Sequence, residues 1–286
     1  MHNFSSRPTW IRLLLVNGNP DGIRIVEKAN WTGVAIVASR ADFKEVIERD
    51  ELGRPGVYVL TGESKHGSPL IYIGEADILY ERLKQHNFCK DFWTMFVAFT
   101  SSNEDLNKAH VRYLEARLVK LAKSANQWEV ENNHIPSIPK LSEADKAYAD
   151  YFFNEMLVIY PLLGIDAFED ASKNHKKHKD SELLYLSQRG AKAKGKEVPE
   201  GFVVMKGSLA RLEVIPSARK HIHNLRNQLI SRNVLLKEKN RLVFMQDYRF
   251  NSPSTAAAVL VGGSINGRTA WKNFKDITLK EIQKQK

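Results

Sequence analysis

Short runs of apolar residues, separated by turn residues, predict an antiparallel sheet in the first hundred residues. The clearest runs are residues 11–16, 23–26, 33–37, 57–60, 70–74 and 95–100. The first three runs predict a small meander, with turn residues at 17–22. The run at 57–60 follows a Pro-Gly pair, and a polar loop joins it to the run at 70–74. These two runs therefore predict a hairpin with a long loop.

Apolar residues that recur every three or four positions predict helices between and after these strands. The predicted helices are residues 42–49, 77–87, 104–125 and a segment that starts at Ser142 and stops before Pro161. The helix at 104–125 has the strongest apolar stripe, and Ser142 with Asp145 matches a capping box. We expect the first 170 residues to form an α/β domain. More narrowly, we expect the α+β class, in which helices flank a small antiparallel sheet.

The last third of the chain predicts a second α+β domain. Strands are expected at 201–205 and 242–244 and helices at 217–232 and 254–260, the last capped by Ser252 and ended by a Gly-Gly pair. A polar, charged segment at 174–180 predicts a linker. The expected division is 1–50 for an N-terminal β-rich extension, 51–170 for a central domain, 171–200 for a basic linker or hairpin, and 201–286 for a basic accessory domain.

The amino-acid composition favours a globular protein and argues against a membrane protein or a disulfide-bonded one. With 43% hydrophobic and 27% charged residues among 286, the chain is expected to be globular. No apolar run approaches the 18 to 20 residues of a membrane span, so we expect a cytoplasmic protein with no membrane partner. The single cysteine, Cys89, excludes an intramolecular disulfide and a thiolate zinc site.

Charge is unevenly distributed along the chain. The net charge is +10, yet residues up to Asp170 contain 19 Lys and Arg against 24 Asp and Glu, whereas the rest contain 24 against 9. A basic segment joined to a mildly acidic one fits a part that binds a polyanion and a part that acts on it. Within the basic segment, Lys192, Lys194 and Lys196 alternate with small residues. This spacing predicts one face of a strand or a flexible basic arm, and we expect these lysines to contact nucleic acid.

Five polar side chains of the central domain stand at spacings that can bring them together. Tyr58 and Tyr72 lie in the two strands of the predicted hairpin, where antiparallel pairing can place both hydroxyls on one face. Arg82 and His86 are one helical turn apart in the next helix, and Glu115 flanks the apolar stripe of the long helix. Taken singly, each residue also fits an ordinary packing or surface role. Their order favours a shared site.

The segments Gly56-Val57-Tyr58 and Tyr72-Ile73-Gly74, followed by Arg82, His86 and Glu115, resemble the GIY-YIG nuclease family over residues 54–133. Val57 replaces the isoleucine of the family name, which changes little because both are apolar and β-branched. Residues 251–271 resemble the C-terminal domain of unknown function that accompanies a subset of bacterial members. The resemblance implies that residues 51–170 have the GIY-YIG fold and act as a metal-dependent endonuclease on DNA.

The resemblance also implies roles for individual residues. Glu115 is expected to hold a Mg²⁺ (or Mn²⁺), and Arg82 to bind the phosphate oxygens of the nucleic acid. In the family the first tyrosine is proposed as general base or water-orienting group and the second as a supporting hydroxyl, which here are Tyr58 and Tyr72. A phenol has a reference pKa of about 10 and a histidine one of about 6.5. Tyr58 and His86 therefore both remain possible proton acceptors.

An asparagine near the end of the domain steadies the phosphate in the family. Asn126, Asn132 and Asn133 all follow Glu115, and Asn133 is the one we favour. Two other functions stay open from the sequence. The first is a nucleic-acid-binding protein that keeps the fold without cleaving. The second is a scaffold in a repair or phage-defence complex, with a protein partner bound through the C-terminal domain.

Overall fold

The computed structural model describes residues 8–65, 67–103, 105–169, 183–199, 201–215 and 218–284. The chain divides into two units, residues 1–168 and 169–286, each built on a mostly antiparallel sheet with helices. This confirms the predicted α+β class. The predicted linker at 174–180 lies outside the described residues. None of the helices in the described part of the chain combines the length and apolar character of a membrane span.

The first unit is organised around one sheet of seven described strands. These are β1 (Ile11–Leu15), β2 (Arg24–Lys28), β3 (Gly33–Ser39), β4 (Gly56–Glu63), β5 (Pro69–Ala76), β6 (Trp93–Ser101) and β7 (Glu129–Val130). Their order is β1-β2-β3-β6-β4-β5-β7, and every neighbouring pair is antiparallel except β5 with β7. The predicted meander of the first fifty residues therefore shares a sheet with the two strands that carry the tyrosines.

Helices cover both faces of this sheet. They are α1 (Phe43–Val46), α2 (Leu79–Cys89), α3 (Lys108–Ala125) and α4 (Glu143–Ile159). Because side chains alternate along a strand, Val57 and Val59 of β4 pack in one core with α3 and α4. Tyr58 and Leu60 of the same strand pack in a second core, on the side of α2. Tyr58 therefore packs on the α2 side of the sheet, whereas α3, the helix that carries Glu115, packs against the other side.

Three helices of the first unit differ from the sequence prediction, and the helix expected over 77–87 is α2, two residues further along the chain. The long helix was expected from residue 104 but begins at Lys108, because the Asn107 side chain caps it by accepting hydrogen bonds from the amides of Ala109 and His110. The helix expected over 42–49 is only the short α1, followed by a 3-10 turn at Asp50–Gly53. The start of α4 agrees with the prediction, since the Ser142 hydroxyl accepts a hydrogen bond from the Asp145 amide.

The second unit also has seven described strands. These are β8 (Leu184–Gln188), β9 (Ala191–Val198), β10 (Gly201–Val204), β11 (Leu209–Arg211), β12 (Leu235–Glu238), β13 (Arg241–Phe244) and β14 (Tyr248–Phe250). The order is β12-β13-β11-β9-β10-β14, and β8 forms an antiparallel hairpin with β9. Its helices are α5 (Lys220–Ser231), α6 (Pro253–Val261), α7 (Gly267–Ala270) and α8 (Leu279–Lys284).

Helix α6 shows how directly some of this unit follows from local sequence. Ser252 caps it by accepting a hydrogen bond from the Thr255 amide, Pro253 occupies the first helical position, and Gly262 ends it with a left-handed backbone. The small and branched side chains of α6 are buried against the sheet. The helix predicted at 217–232 is α5, which starts at Lys220.

Candidate active site

The tyrosine pair is fixed by the register of the β4–β5 hairpin. Tyr58 lies opposite Gly74, and Leu60 lies opposite Tyr72. The two tyrosine rings therefore stand on the same face with centroids 6.3 Å apart. Tyr58 is buried and Tyr72 is half-buried. The predicted sharing of one face is what the structure shows.

Gly74 makes room for this arrangement. A Cβ atom on Gly74 would lie 2.3 Å from the Tyr58 hydroxyl oxygen, a distance that real side chains do not adopt. Gly56, at the start of β4, is restricted in the same way, because its Cβ would lie 2.4 Å from the carbonyl oxygen of Phe99. The glycines in both tripeptides are thus explained by close packing around Tyr58 and at the start of its strand.

Helix α2 presents His86 directly to the tyrosines. The hydroxyl of Tyr58 lies 2.7 Å from His86 Nε2, and the Tyr72 ring centroid is 5.0 Å from that of His86. Burial, together with the positive charges of Arg82 and Lys90, lowers the pKa of His86 to about 4. His86 is therefore neutral at neutral pH, and its ring nitrogen can accept a hydrogen bond from the Tyr58 hydroxyl.

Arg82 lies one turn before His86 and interacts with both tyrosine hydroxyls. Burial opposes the charged form of Arg82, but the two phenol oxygens outweigh it and raise the pKa of the guanidinium. The pKa of Tyr58 is itself raised, by burial first and then by Tyr72, although Arg82 opposes this shift. Tyr58 is thus a neutral phenol that is hydrogen-bonded to a neutral imidazole and lies beside a permanent cation.

Lys90 and Glu131 border this cluster and were not predicted from the sequence. The Lys90 ammonium lies 4.2 Å from the centroid of the Tyr72 ring and 3.0 Å from the Glu131 carboxylate. A cation over an aromatic face is attracted by the ring. Lys90 therefore supports Tyr72 while adding positive charge close to His86.

Glu115 reaches the hairpin from α3 and is half-buried. Burial and the negative charge of Glu75 raise the pKa of Glu115 to about 7, although Arg112 and Arg82 oppose the shift. Without a bound cation, this carboxyl is partly protonated at neutral pH. The influence of Arg82 on both Glu115 and Tyr58 shows that the carboxyl and the tyrosine cluster lie within electrostatic range of one guanidinium.

Glu75 is a further acidic residue that sequence reasoning missed. It follows Gly74 directly, so strand alternation places it on the face of β5 opposite to Tyr72, which is the face that α3 covers. The pKa of Glu75 is raised by burial and by the charge of Asp77. Alternation was the signal that could have paired Glu75 with Glu115.

These carboxyl groups fit a hard divalent cation. Mg²⁺ uses one or two carboxylates and takes its other ligands from water and phosphate oxygens. The negative charge of Glu75 disfavours ionisation of Glu115, and a bound cation would offset this repulsion. Within the described residues, no three His, Cys, Asp or Glu side chains form a metal-ligand group.

The three asparagines have different positions. Asn132 is bound to the edge of β5, where its side-chain amide donates to the Ile73 carbonyl at 2.7 Å and its oxygen accepts from the Ile73 amide at 2.9 Å. Asn126 ends α3 with a left-handed backbone, and the favoured Asn133 is exposed. The structure thus ties Asn132 to the hairpin, and the role predicted for Asn133 stays a prediction.

The three lysines of the basic segment lie in β9. Lys192, Lys194 and Lys196 share one strand face, while the alternate residues Ala191, Ala193 and Gly195 are buried on the other. Of the two arrangements predicted from their spacing, the strand face is the one observed. Contact with nucleic acid stays a prediction.

Comparison with protein families matches residues 184–283 to the Domain of unknown function (DUF4357). The match covers β8 to α8 and supports the part of the resemblance that concerned a C-terminal domain of unknown function. No nuclease family match was found for the first unit, where the resemblance stays a prediction. No curated protein and no solved structure matches the chain.

Proposed function

We propose that the protein is a metal-dependent endonuclease of the GIY-YIG type that hydrolyses phosphodiester bonds in DNA. The observation that carries this proposal is the cluster around Tyr58, in which His86 Nε2 lies 2.7 Å from the hydroxyl and Tyr72 and Arg82 adjoin it. Phosphodiester hydrolysis needs a positioned water, a proton acceptor and positive charge at the phosphate. The cluster offers a residue for each requirement.

Tyr58 and His86 act together on the attacking water in this proposal. As the water oxygen bonds to phosphorus, its proton passes to the Tyr58 oxygen, and the Tyr58 hydroxyl proton passes to His86 Nε2. The bond between phosphorus and the leaving oxygen breaks, the leaving oxygen takes up a proton from solvent water, and His86 then releases its proton to solvent. Because both partners are neutral beforehand, the pair can accept the proton without a phenolate first having to form in a buried site.

Arg82 and Glu115 both act on the charge of the phosphate group, Arg82 directly and Glu115 through the metal ion that it would hold. The guanidinium of Arg82 carries a permanent forked charge that suits the non-bridging oxygens of a phosphodiester. Glu115 is the residue that would hold a Mg²⁺ (or Mn²⁺), with Glu75 as its neighbour. When bound, the ion supplies charge stabilisation to the phosphate. Tyr72 supports the site through its ring contacts with Tyr58 and His86.

The test is a cleavage assay with the full chain. Labelled linear, single-stranded, branched and supercoiled DNA are incubated with Mg²⁺, with Mn²⁺ or with a chelator, and the cut ends are mapped. We expect cleavage that requires the metal and that Glu115→Gln removes. Glu143→Gln is the matched control, because Glu143 is an exposed glutamate at the start of α4. DNA binding without metal-dependent cleavage would contradict the proposal and favour the non-cleaving nucleic-acid-binding protein.

A further inference from the structure

The sheet of the second unit has one face covered by helices and one that is open at β8, β9 and β11. Leu184 and Leu186 of β8 belong to the core that α6 completes. The alternate residues point the other way, and Tyr185 of β8 with Lys192 and Lys194 of β9 are exposed there. We call this exposed part of the sheet the lysine face.

The lysine face contains a hollow of about 510 Å³. The polar residues that line it are Tyr185, Ser187, Lys192, Lys194, Lys206 and Ser208. None of the described residues that line the hollow is acidic. Glu197, the acidic residue of β9, alternates with the lysines along the strand and so lies on the opposite face. Its carboxylate accepts a hydrogen bond from Gln283. The hollow is therefore lined by cations without a carboxylate among them.

Strand register sets the distances within the hollow. Tyr185 is directly opposite Lys194, and Ser187 is directly opposite Lys192, so each pair has its Cβ atoms about 5 Å apart. The backbone of Tyr185 is held on its other side by two hydrogen bonds with Lys272, at 2.7 and 3.0 Å. Lys192 and Lys194 are about 6.7 Å apart along the strand. A rigid backbone thus presents one aromatic ring beside a row of ammonium groups.

We propose that the lysine face binds single-stranded nucleic acid, with the lysines on successive phosphates and the Tyr185 ring stacked on an unpaired base. The proposal rests on the proposed function only in taking nucleic acid as the partner. Positive charge complements the phosphate backbone, and an exposed aromatic ring in a basic groove is the arrangement that holds single strands without sequence preference. A duplex keeps its bases stacked on each other, so it can use the lysines but not the tyrosine.

The experiment measures binding without cleavage. A fluorescent single-stranded oligonucleotide and the duplex of the same sequence are titrated with the full chain carrying Glu115→Gln, in chelator, across a salt series. The variants added to this background are Tyr185→Ala, Tyr185→Phe and the double change Lys192→Gln with Lys194→Gln. The matched control is Lys237→Gln with Lys280→Gln, which removes the same charge from exposed lysines elsewhere in the second unit.

We expect the single strand to bind more tightly than the duplex. Tyr185→Ala should weaken single-strand binding about 5- to 150-fold, whereas Tyr185→Phe, which keeps the ring, should bind as the parent does. The double lysine change should reduce the slope of log K against log salt by about 1.4, and the control pair should leave it unchanged.

Three results of these titrations would overturn the proposal. They are a duplex bound as tightly as the single strand, a Tyr185→Ala protein that keeps full affinity, and a control pair that loses as much affinity as the lysine-face pair. Displacement of the oligonucleotide by polyglutamate at equal charge concentration would also overturn it, because the face would then recognise acidic peptide. Since no cleavage is measured, an inactive wild-type enzyme would contradict the proposed function and leave this result standing.

Discussion

In the two proposals made above, the tyrosine cluster of the first unit and the lysine face of the second bind phosphate in two different ways. Around Tyr58 the polar groups are buried, hydrogen-bonded to one another and shifted in pKa. On the lysine face the charges are exposed and spaced only by the strand repeat. Buried, mutually fixed groups suit a reaction that tolerates little displacement, whereas exposed charges suit binding that must release its ligand. Burial, more than residue type, therefore distinguishes the proposed reaction site from the proposed binding surface.

The largest effect is expected from Glu115→Gln. The amide keeps the shape of the side chain but cannot serve as an anionic metal ligand, so several kcal/mol of transition-state stabilisation should be lost. Cleavage in Mg²⁺ should fall by about 10³- to 10⁴-fold, while DNA affinity and the melting temperature stay close to wild type. A variant that cleaves at the wild-type rate would show that this carboxyl holds no essential cation.

The next largest effect concerns the proton acceptor. Tyr58→Phe should lower the rate of cleavage by about 10²- to 10⁴-fold, because the atom that meets the water is lost. His86→Ala should cost less, since Tyr58 keeps its hydroxyl. Tyr160→Phe is the matched control, because the Tyr160 hydroxyl is buried and has no hydrogen-bond partner among the described residues. A larger loss of cleavage rate in His86→Ala than in Tyr58→Phe would show that His86 accepts the proton directly. Wild-type rates in both variants would show that the cluster takes no part in the reaction.

Gly74→Ala tests whether the cluster depends on close packing. Its new Cβ would clash with the Tyr58 hydroxyl, so either the hairpin shifts or the tyrosine leaves His86. We expect the free energy of unfolding to drop by about 1–3 kcal/mol, measured by denaturant titration. Gly53→Ala is a suitable comparison, because no atom lies within 4 Å of the Cβ that it adds. Equal stability of the two variants would mean that Gly74 is not needed for space.

The smallest expected effect is on the pH dependence of metal binding. Because the pKa of Glu115 is raised to about 7, metal binding must displace a proton below that pH. Mn²⁺ affinity, measured by calorimetry, should therefore fall up to about tenfold for each pH unit below 7 and level off above it. Glu75→Gln removes the neighbouring negative charge and should move this dependence to lower pH. An affinity that is flat from pH 5.5 to 8 would contradict the raised pKa.

Sequence patterns predicted what depends on strand alternation and helical spacing. The shared face of Tyr58 and Tyr72 followed from hairpin pairing, and the shared helix face of Arg82 and His86 followed from their spacing of one helical turn. The helix N-caps at Ser142 and Ser252 were also predicted from the sequence. These features are local, so a single stretch of sequence contains the information that fixes them.

The remaining features depend on contacts between distant segments. Glu75 raises the pKa of Glu115 because α3 packs against β5, and no local pattern specifies that packing. Asn132 reaches Ile73 across 59 residues of sequence, so no local pattern distinguishes it from its neighbour Asn133. Short strands such as β14, with three residues, carry too little periodicity to be recognised.

The most direct test of this account is the single-turnover rate of metal-dependent cleavage as a function of DNA concentration. It compares wild type, Tyr58→Phe and the variant with both Lys192→Gln and Lys194→Gln. We predict that Tyr58→Phe stays slow at every DNA concentration, whereas the lysine variant reaches the wild-type rate once DNA is saturating. An equal loss of saturating rate in both variants, or no metal-dependent cleavage by wild type, would contradict the division into a reaction site and a binding surface.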